Sequence, residues 1–239
     1  MSATGRPERE SIPLGGTARS AKGAHASATG RPERESVPLH RGDALLVVDV
    51  QNDFVSGTLA VPGADRLIPA LNRYIAVFTA RGLPVLATRD WHPADHCSFR
   101  ERGGPWPVHC VAGTHGADFH PALSLPPGVA IVSKATAPDR EAYSSFAGTD
   151  LDQRLAAQDV RRLFIGGLAT DYCVVQTTRD ALQQGYEVCV LADAIGAVDA
   201  SPGDGARALA DMRTRGAAMV TLADLAEASP GNEAPTRQR

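Results

Sequence analysis

No apolar run in this 239-residue sequence approaches the ~20 residues needed to cross a bilayer, which excludes a transmembrane helix of ordinary length. A surplus of positive charge is missing too. Lys and Arg number 24 against 27 Asp and Glu, for a formal net charge of -3 and a pI near 6.2, so there is no electrostatic footprint for nucleic acid. The N-terminal residues lack the charged-then-apolar pattern of a secretory signal, which makes the cytoplasm the expected compartment. Cysteine is scarce. Cys97, Cys110, Cys173 and Cys189 are expected to be reduced, each acting as ligand, nucleophile or core filler. No GxGxxG follows the first apolar run, and a dinucleotide-binding dehydrogenase is set aside on that ground. Aromatic residues make up only 5% of the chain, so those close to a cleft carry much of the information about a ligand.

The first forty residues differ from the rest. SATGRPERESIPL at Ser2 to Leu14 recurs as SATGRPERESVPL at Ser27 to Leu39, and neither copy contains an aromatic residue or a regular apolar period. A segment of that composition buries too little surface to offset its ordering entropy. Residues 1–40 are therefore expected to form a disordered tail, 41–228 a single domain, and 229–239 a flexible C-terminal tail. Glu8, Glu10, Glu33 and Glu35 argue against a transit peptide, a type poor in acidic residues.

From Asp43 onward, apolar runs alternate with helical patterns. Ala44 to Val48, Pro84 to Thr88, Val129 to Ser133, Leu163 to Gly166, Glu187 to Ala192 and Ala217 to Thr221 are mostly continuous apolar runs, as expected of parallel strands covered on both faces. Leu67, Leu71, Tyr74, Ile75 and Phe78 form one helical stripe ending at Gly82. Thr149 with Asp152 has the spacing of a capping box, Cys173 to Gln184 ends at Gly185, and Ser201-Pro202 supplies an N-cap and first-turn proline. The fold class is α/β, one doubly wound domain around a parallel sheet flanked by helices. Only Trp91 to Gly128 breaks the alternation, and a loop of that length in a compact domain is usually functional.

Four strand runs end in chemically useful residues: Asp49, Asp90 with His92, Lys134, and Cys173 just beyond LFIGG. In a parallel sheet these ends share one edge, where such folds bind ligands. Asp90 and His92 are two apart, so extended backbone aims both side chains to one side, and His109 can return from the long loop as a third ligand. Two imidazoles and a carboxylate suit zinc, iron or manganese; His96 and Cys110 rank below them. Cys173 follows the turn GGLATDY and is expected at the start of a helix. Free N–H groups and the helix dipole there would lower its pKa from about 8.5 and could stabilise an oxyanion. Asp49 is the candidate base, Asp53 a structural residue, and Lys134 the cation partner of the carboxylate or the developing thiolate. Cys189, inside EVCVL, reads as core.

VVDVQNDF, TRDWHPADHCSF, PWPVHC, SKATAPDREAYSSF and GLATDYCVVQT, in this order and spacing from about Asp43 to Leu225, resemble the nicotinamidase branch of the isochorismatase-like cysteine hydrolases. The resemblance implies a six-stranded parallel sheet and hydrolysis of nicotinamide to nicotinate and ammonia. By motif it implies a triad of Asp49, Lys134 and Cys173, metal ligands Asp90, His92 and His109, and His96 as an optional fourth. It further implies a cis peptide between Leu168 and Ala169 that turns the Ala169 N–H toward the oxyanion beside that of Cys173, and one divalent metal per chain that holds the pyridine nitrogen. Tyr172 departs from relatives that carry histidine there. Phe54, Trp106 and Tyr143 each lie near a motif residue and are expected to pack on the flat ring of the substrate. Two other readings stand beside this one. A cysteine amidase for an acyclic amide or carbamoyl compound would need the triad but not the Asp90, His92 and His109 set, and a non-catalytic metal-binding scaffold would show a damaged triad. The small-molecule substrate is the expected partner, with no nucleic acid or membrane, and a homo-oligomer is left open.

Overall fold

The computed structural model describes residues 36–225. Six strands, Asp43–Val48 (β1), Val85–Asp90 (β2), Ala130–Lys134 (β3), Arg162–Leu168 (β4), Glu187–Gly196 (β5) and Ala218–Val220 (β6), form one sheet in the order β3-β2-β1-β4-β5-β6. Every pairing is parallel. The chain winds outward in one direction from β1 to β3 and in the other from β4 to β6, so the order reverses between β1 and β4. Such a switch point opens a crevice at the carboxyl ends of the strands.

Alternation along β1 explains why its run is continuously apolar. Leu45 and Val47 face one cluster with Leu71, Tyr74, Ile75 and Phe78, while Ala44, Leu46 and Val48 face another with Leu151, Leu155, Val174 and Met212. Helices on both faces leave neither side wet. In chain order the helices are Asn52–Val55 (α1), Ile68–Ala80 (α2), Leu151–Ala156 (α3), Val175–Gln183 (α4) and Asp204–Thr214 (α5). A π-helical turn, Thr170–Val174, leads into α4. At Gly167, φ is +120°, and a Cβ would lie 2.0 Å from the Val48 carbonyl oxygen. Only glycine lets β4 lie this close to β1 just before Asp49.

Helix entries differ from their sequence signals. Asp150, not Thr149, precedes α3, and no capping box forms there: the Thr149 hydroxyl donates to the Ser145 carbonyl and Asp152 accepts from the Tyr186 hydroxyl. A capping box forms instead at Thr221 and Asp224. Helix α5 begins after Gly203 rather than Ser201, whose amide donates to Asp204 Oδ2 at 2.8 Å. Between β2 and β3 the long loop contains short 3₁₀ turns, Arg100–Arg102 and His115–Ala117, and isolated bridges pairing His92 with Val111 and Phe99 with Trp106.

The expected tails, 1–40 and 229–239, lie outside the described residues except for 36–40, and those five are docked on the domain. Val37 forms a parallel bridge with Leu225 and its amide donates to the Asp224 carbonyl at 2.7 Å, and Val37 and Leu39 pack on the core. Asp43 accepts from the His40 amide, and the Arg162 guanidinium bonds both Asp43 and the Pro38 carbonyl. Two apolar residues in the second repeat, Val37 and Leu39, thus find partners that composition does not reveal. A chain beginning at residue 41 should melt about 3–8 °C below one beginning at residue 36, reflecting the loss of several hydrogen bonds and two apolar contacts. Equal melting temperatures by calorimetry would show that this docking contributes nothing.

Candidate active site

Lys134, Asp90 and Asp49 stand at the ends of three neighbouring strands, β3, β2 and β1, and Cys173 follows the fourth, β4. All four side chains are buried. The Lys134 ammonium contacts Asp90 Oδ1, lies 2.9 Å from Asp49 Oδ2 and 3.3 Å from Cys173 Sγ, and donates to the Ala142 carbonyl. Asp49 Oδ1 accepts a 2.6 Å bond from the Thr88 hydroxyl. Burial alone would lower the Lys134 pKa, but Asp49 and Asp90 outweigh it and raise it well above the usual lysine value. Burial opposes ionisation of Asp90, yet Lys134 and His92 hold its carboxyl below the usual range. Asp49 is raised by burial against the pull of Lys134, which makes it the more basic of the two carboxylates.

The Cys173 thiol lies in the π-helical turn, and its pKa moves opposite to the expectation of a stabilised thiolate. Burial pushes it well above its usual value; Lys134 opposes this, while Asp49 and Asp90 add to it. The turn geometry favours a thiolate, but in a dry site with two carboxylates the desolvation penalty is larger. The resting sulfur is a thiol, with the Lys134 ammonium 3.3 Å away. The peptide between Leu168 and Ala169 is cis.

Asp90 also belongs to a second group. One donor atom of Asp90, His92 and His109 lies within 4.8 Å of those of the other two. His92 Nδ1 faces the Ala135 carbonyl at 3.2 Å and His109 Nδ1 faces that of Pro107 at 2.8 Å. A carbonyl can only accept, so in the neutral tautomer that each contact selects Nδ1 carries the proton and Nε2 the lone pair. His92 Nε2 is buried without a hydrogen-bond partner and lies 3.7 Å from Asp90 Oδ2, too far for a direct bond. Burial holds the His92 pKa down to about 4, which keeps the ring neutral near pH 7. Two facing acceptors with no proton between them, beside one ammonium shared by two buried carboxylates, are the donor set and charge balance that suit a divalent cation.

His96 is not brought into this set. It stacks on His92 with ring centroids 4.2 Å apart, but its Nδ1 bonds Ser98 and its Nε2 the Arg140 carbonyl, so both nitrogens are taken. Cys110 also stands outside it, its thiol pKa raised by burial. Asp53 binds backbone: its carboxylate accepts from the Thr58 and Cys110 amides and so ties the helix after β1 to the loop carrying His109. Cys189 is buried in the core.

One pocket is lined by members of both groups, Asp90, His109 and Cys173, together with Ala169, and has Phe54, Trp106 and Tyr143 among its apolar walls. Leu59, Val61, Tyr172 and Val198 also line it, and sequence reasoning did not place the three aliphatic residues there. Gln51 was missed as well. Its buried side-chain amide accepts from the Asp90 N–H at 2.8 Å and donates to the Asp90 and Ala117 carbonyls, continuing the ladder where β1 and β2 part. Its position within the VVDVQNDF motif was the available signal.

The isochorismatase domain profile matches residues 43–224. The nicotinamidase of Escherichia coli is 40% identical over 206 aligned residues, covering 77% of this chain and 97% of that protein. The nicotinamidase/pyrazinamidase of Mycobacterium tuberculosis is also 40% identical, covering 74% and 97%. The crystal structure of the Pyrococcus horikoshii pyrazinamidase in complex with zinc superposes with a TM-score of 0.73 at 50% identity, covering 76% of this chain and 99% of that one. With the buried strand-end group and the adjoining acceptor cluster, these similarities show that the chain belongs to the isochorismatase family, on its nicotinamidase branch.

Proposed function

We propose that this protein hydrolyses nicotinamide to nicotinate and ammonia through a thioester on Cys173. The observation that carries this reading is the pocket that Cys173 shares with Asp90 and His109, two of the three members of the Asp90, His92 and His109 cluster. A general amidase for acyclic substrates needs the first group and not the second.

In the proposed reaction Asp49 takes the thiol proton as Cys173 Sγ attacks the amide carbon. Because the resting thiol is neutral, attack and proton transfer go together. The N–H groups of Ala169 and Cys173 hold the tetrahedral oxyanion, an arrangement in which one donor is typically worth about 3 kcal/mol. Asp49 returns the proton to the departing nitrogen, the C–N bond breaks, ammonia leaves, and the acyl group remains on sulfur. Asp49 then takes a proton from water as its oxygen attacks the thioester; the C–S bond breaks and the proton goes back to the sulfur. Lys134 holds Asp49 in position throughout and stabilises its carboxylate whenever it is unprotonated. Asp90, His92 and His109 would hold one divalent ion, for which zinc, iron and manganese are all suitable, and when bound it supplies a Lewis acid that orients the ring nitrogen. Phe54, Trp106 and Tyr143 pack on the ring.

Ammonia release from nicotinamide by the purified protein tests the reading directly, and its absence from metal-replete protein would refute it. Cys173→Ala should abolish turnover while leaving the melting temperature and metal content close to wild type. Asp49→Asn should lower kcat on the order of 10³-fold or more, and adding it to Cys173→Ala should cost nothing further, because the group acts as a unit. Substantial activity in Cys173→Ala would exclude the covalent route. Lys134→Ala strips the counterion from two buried carboxylates and should destabilise the fold by about 3–5 kcal/mol in denaturant titrations.

Metal content separates the ligand set from its neighbours. Elemental analysis should find about one ion per chain in wild type, His96→Ala and Cys110→Ala, with strong loss in Asp90→Ala, His92→Ala and His109→Ala. Full occupancy in His109→Ala together with loss in Cys110→Ala would overturn the assignment.

A further inference from the structure

Tyr172, the residue before the nucleophile, lines two cavities at once. On one side it belongs to the wall of the substrate pocket. On the other it borders a groove between the nucleophile turn, α4 and α5, lined by Asp171, Gln176, Arg179, Asp204, Arg207 and Asp211. The first cavity is apolar around the thiol; the second lies at the surface and sets charged side chains beside the apolar Val175 and Ala208.

The other walls are less open to exchange. Phe54 and Val61 are buried and backed by the main core cluster. Trp106 and Tyr143 are tied to each other by a 2.9 Å bond from the indole N–H to the phenol oxygen. Tyr172 is half-buried and meets both through ring contacts alone: edge-on to Trp106 with centroids 5.0 Å apart, tilted against Tyr143 at 5.6 Å. Its backbone N–H donates a hydrogen bond to the Ala169 carbonyl. What Tyr172 contributes to the pocket is therefore the flat bulk of its ring.

We infer that the Tyr172 ring is the partition between the substrate pocket and this surface groove, and that it sets the size of aromatic amide the enzyme accepts. Shortening it joins the two spaces, so that a nicotinamide with a substituent on its ring can place that substituent in the groove. The chemistry of the groove defines which substituents gain. Arg179 is paired with Asp211 and Arg207 with Asp204, and Asp171 is turned toward the Val198 and Asp199 amides. With its guanidinium groups already matched, the groove suits a neutral polar group such as a carboxamide or hydroxymethyl and gives a carboxylate little.

The inference rests on the nicotinamidase reading, and the experiment keeps the two apart. Purified wild type, Tyr172→Phe, Tyr172→Leu and Tyr172→Ala are assayed for kcat/KM on nicotinamide and on nicotinamides bearing a carboxamide, hydroxymethyl or carboxylate on the ring carbons. Wild type and Tyr172→Phe should share the same strong preference for unsubstituted nicotinamide. The ratio of substituted to unsubstituted kcat/KM should rise about tenfold or more in Tyr172→Ala for at least one neutral substituent, and less in Tyr172→Leu and for carboxylate. An unchanged ratio in both shortened variants, with nicotinamide still hydrolysed, would overturn the partition. So would an equal rise in Tyr172→Phe, which would assign the effect to the hydroxyl. Failure of wild type to hydrolyse nicotinamide would instead overturn the parent reading. If Tyr172→Ala fails to fold, Tyr172→Leu carries the test alone.

Discussion

The site depends on one buried ammonium. Lys134 is held between Asp49 and Asp90, with the Cys173 sulfur 3.3 Å away, in a place where water does not reach. An isolated charge there would be prohibitively expensive, and removing one member of such a group costs several kcal/mol. The arrangement requires neighbouring strands to end level with each other. The order β3-β2-β1-β4 brings Lys134, Asp90, Asp49 and Cys173 side by side, though they are far apart in the chain. Sheet topology and active-site electrostatics are thus one constraint viewed at two scales.

Asp90 carries this constraint from the thiol to the acceptor cluster. One of its oxygens engages Lys134, the other faces His92 Nε2. Gln51 clamps its backbone, and the Ala135 and Pro107 carbonyls turn both histidines so that Nε2 points inward. Three residues at these bends adopt left-handed backbone without being glycine: Asp49 at φ 51°, Cys110 at 45° and Ala135 at 52°. Such conformations cost on the order of 1 kcal/mol each or more, and they persist where surrounding structure enforces them. Here they re-aim the base, the chain after His109 and the chain after Lys134.

Much of this was legible in the sequence because continuous apolar runs mark doubly covered strands, and a strand end locates a side chain on a known edge. Every strand run lies in a strand, with boundaries displaced by a few residues. What stayed hidden depended on partners distant in the chain. Thr149 carries the signal of a capping box, but the helix starts one residue later and the threonine hydroxyl oxygen accepts from the Leu151 amide instead of that of Asp152. Val37 and Leu39 look like tail until the edge near Leu225 is in place. The exclusion of His96 turns on the Arg140 carbonyl, and the rise in the Cys173 pKa on how completely the strand ends are dehydrated. Backbone carbonyls and desolvation leave no residue-type signature.

The central claim is that the thiol group and the acceptor cluster work on opposite ends of one flat substrate. Benzamide has the same ring and the same amide as nicotinamide and lacks only the ring nitrogen, so comparing kcat/KM for the two with metal-replete wild type isolates that claim. The account predicts a large preference for nicotinamide, on the order of 10²-fold or more, since a site built to engage a polar atom discriminates strongly against its absence. Equal values for the two amides would contradict it.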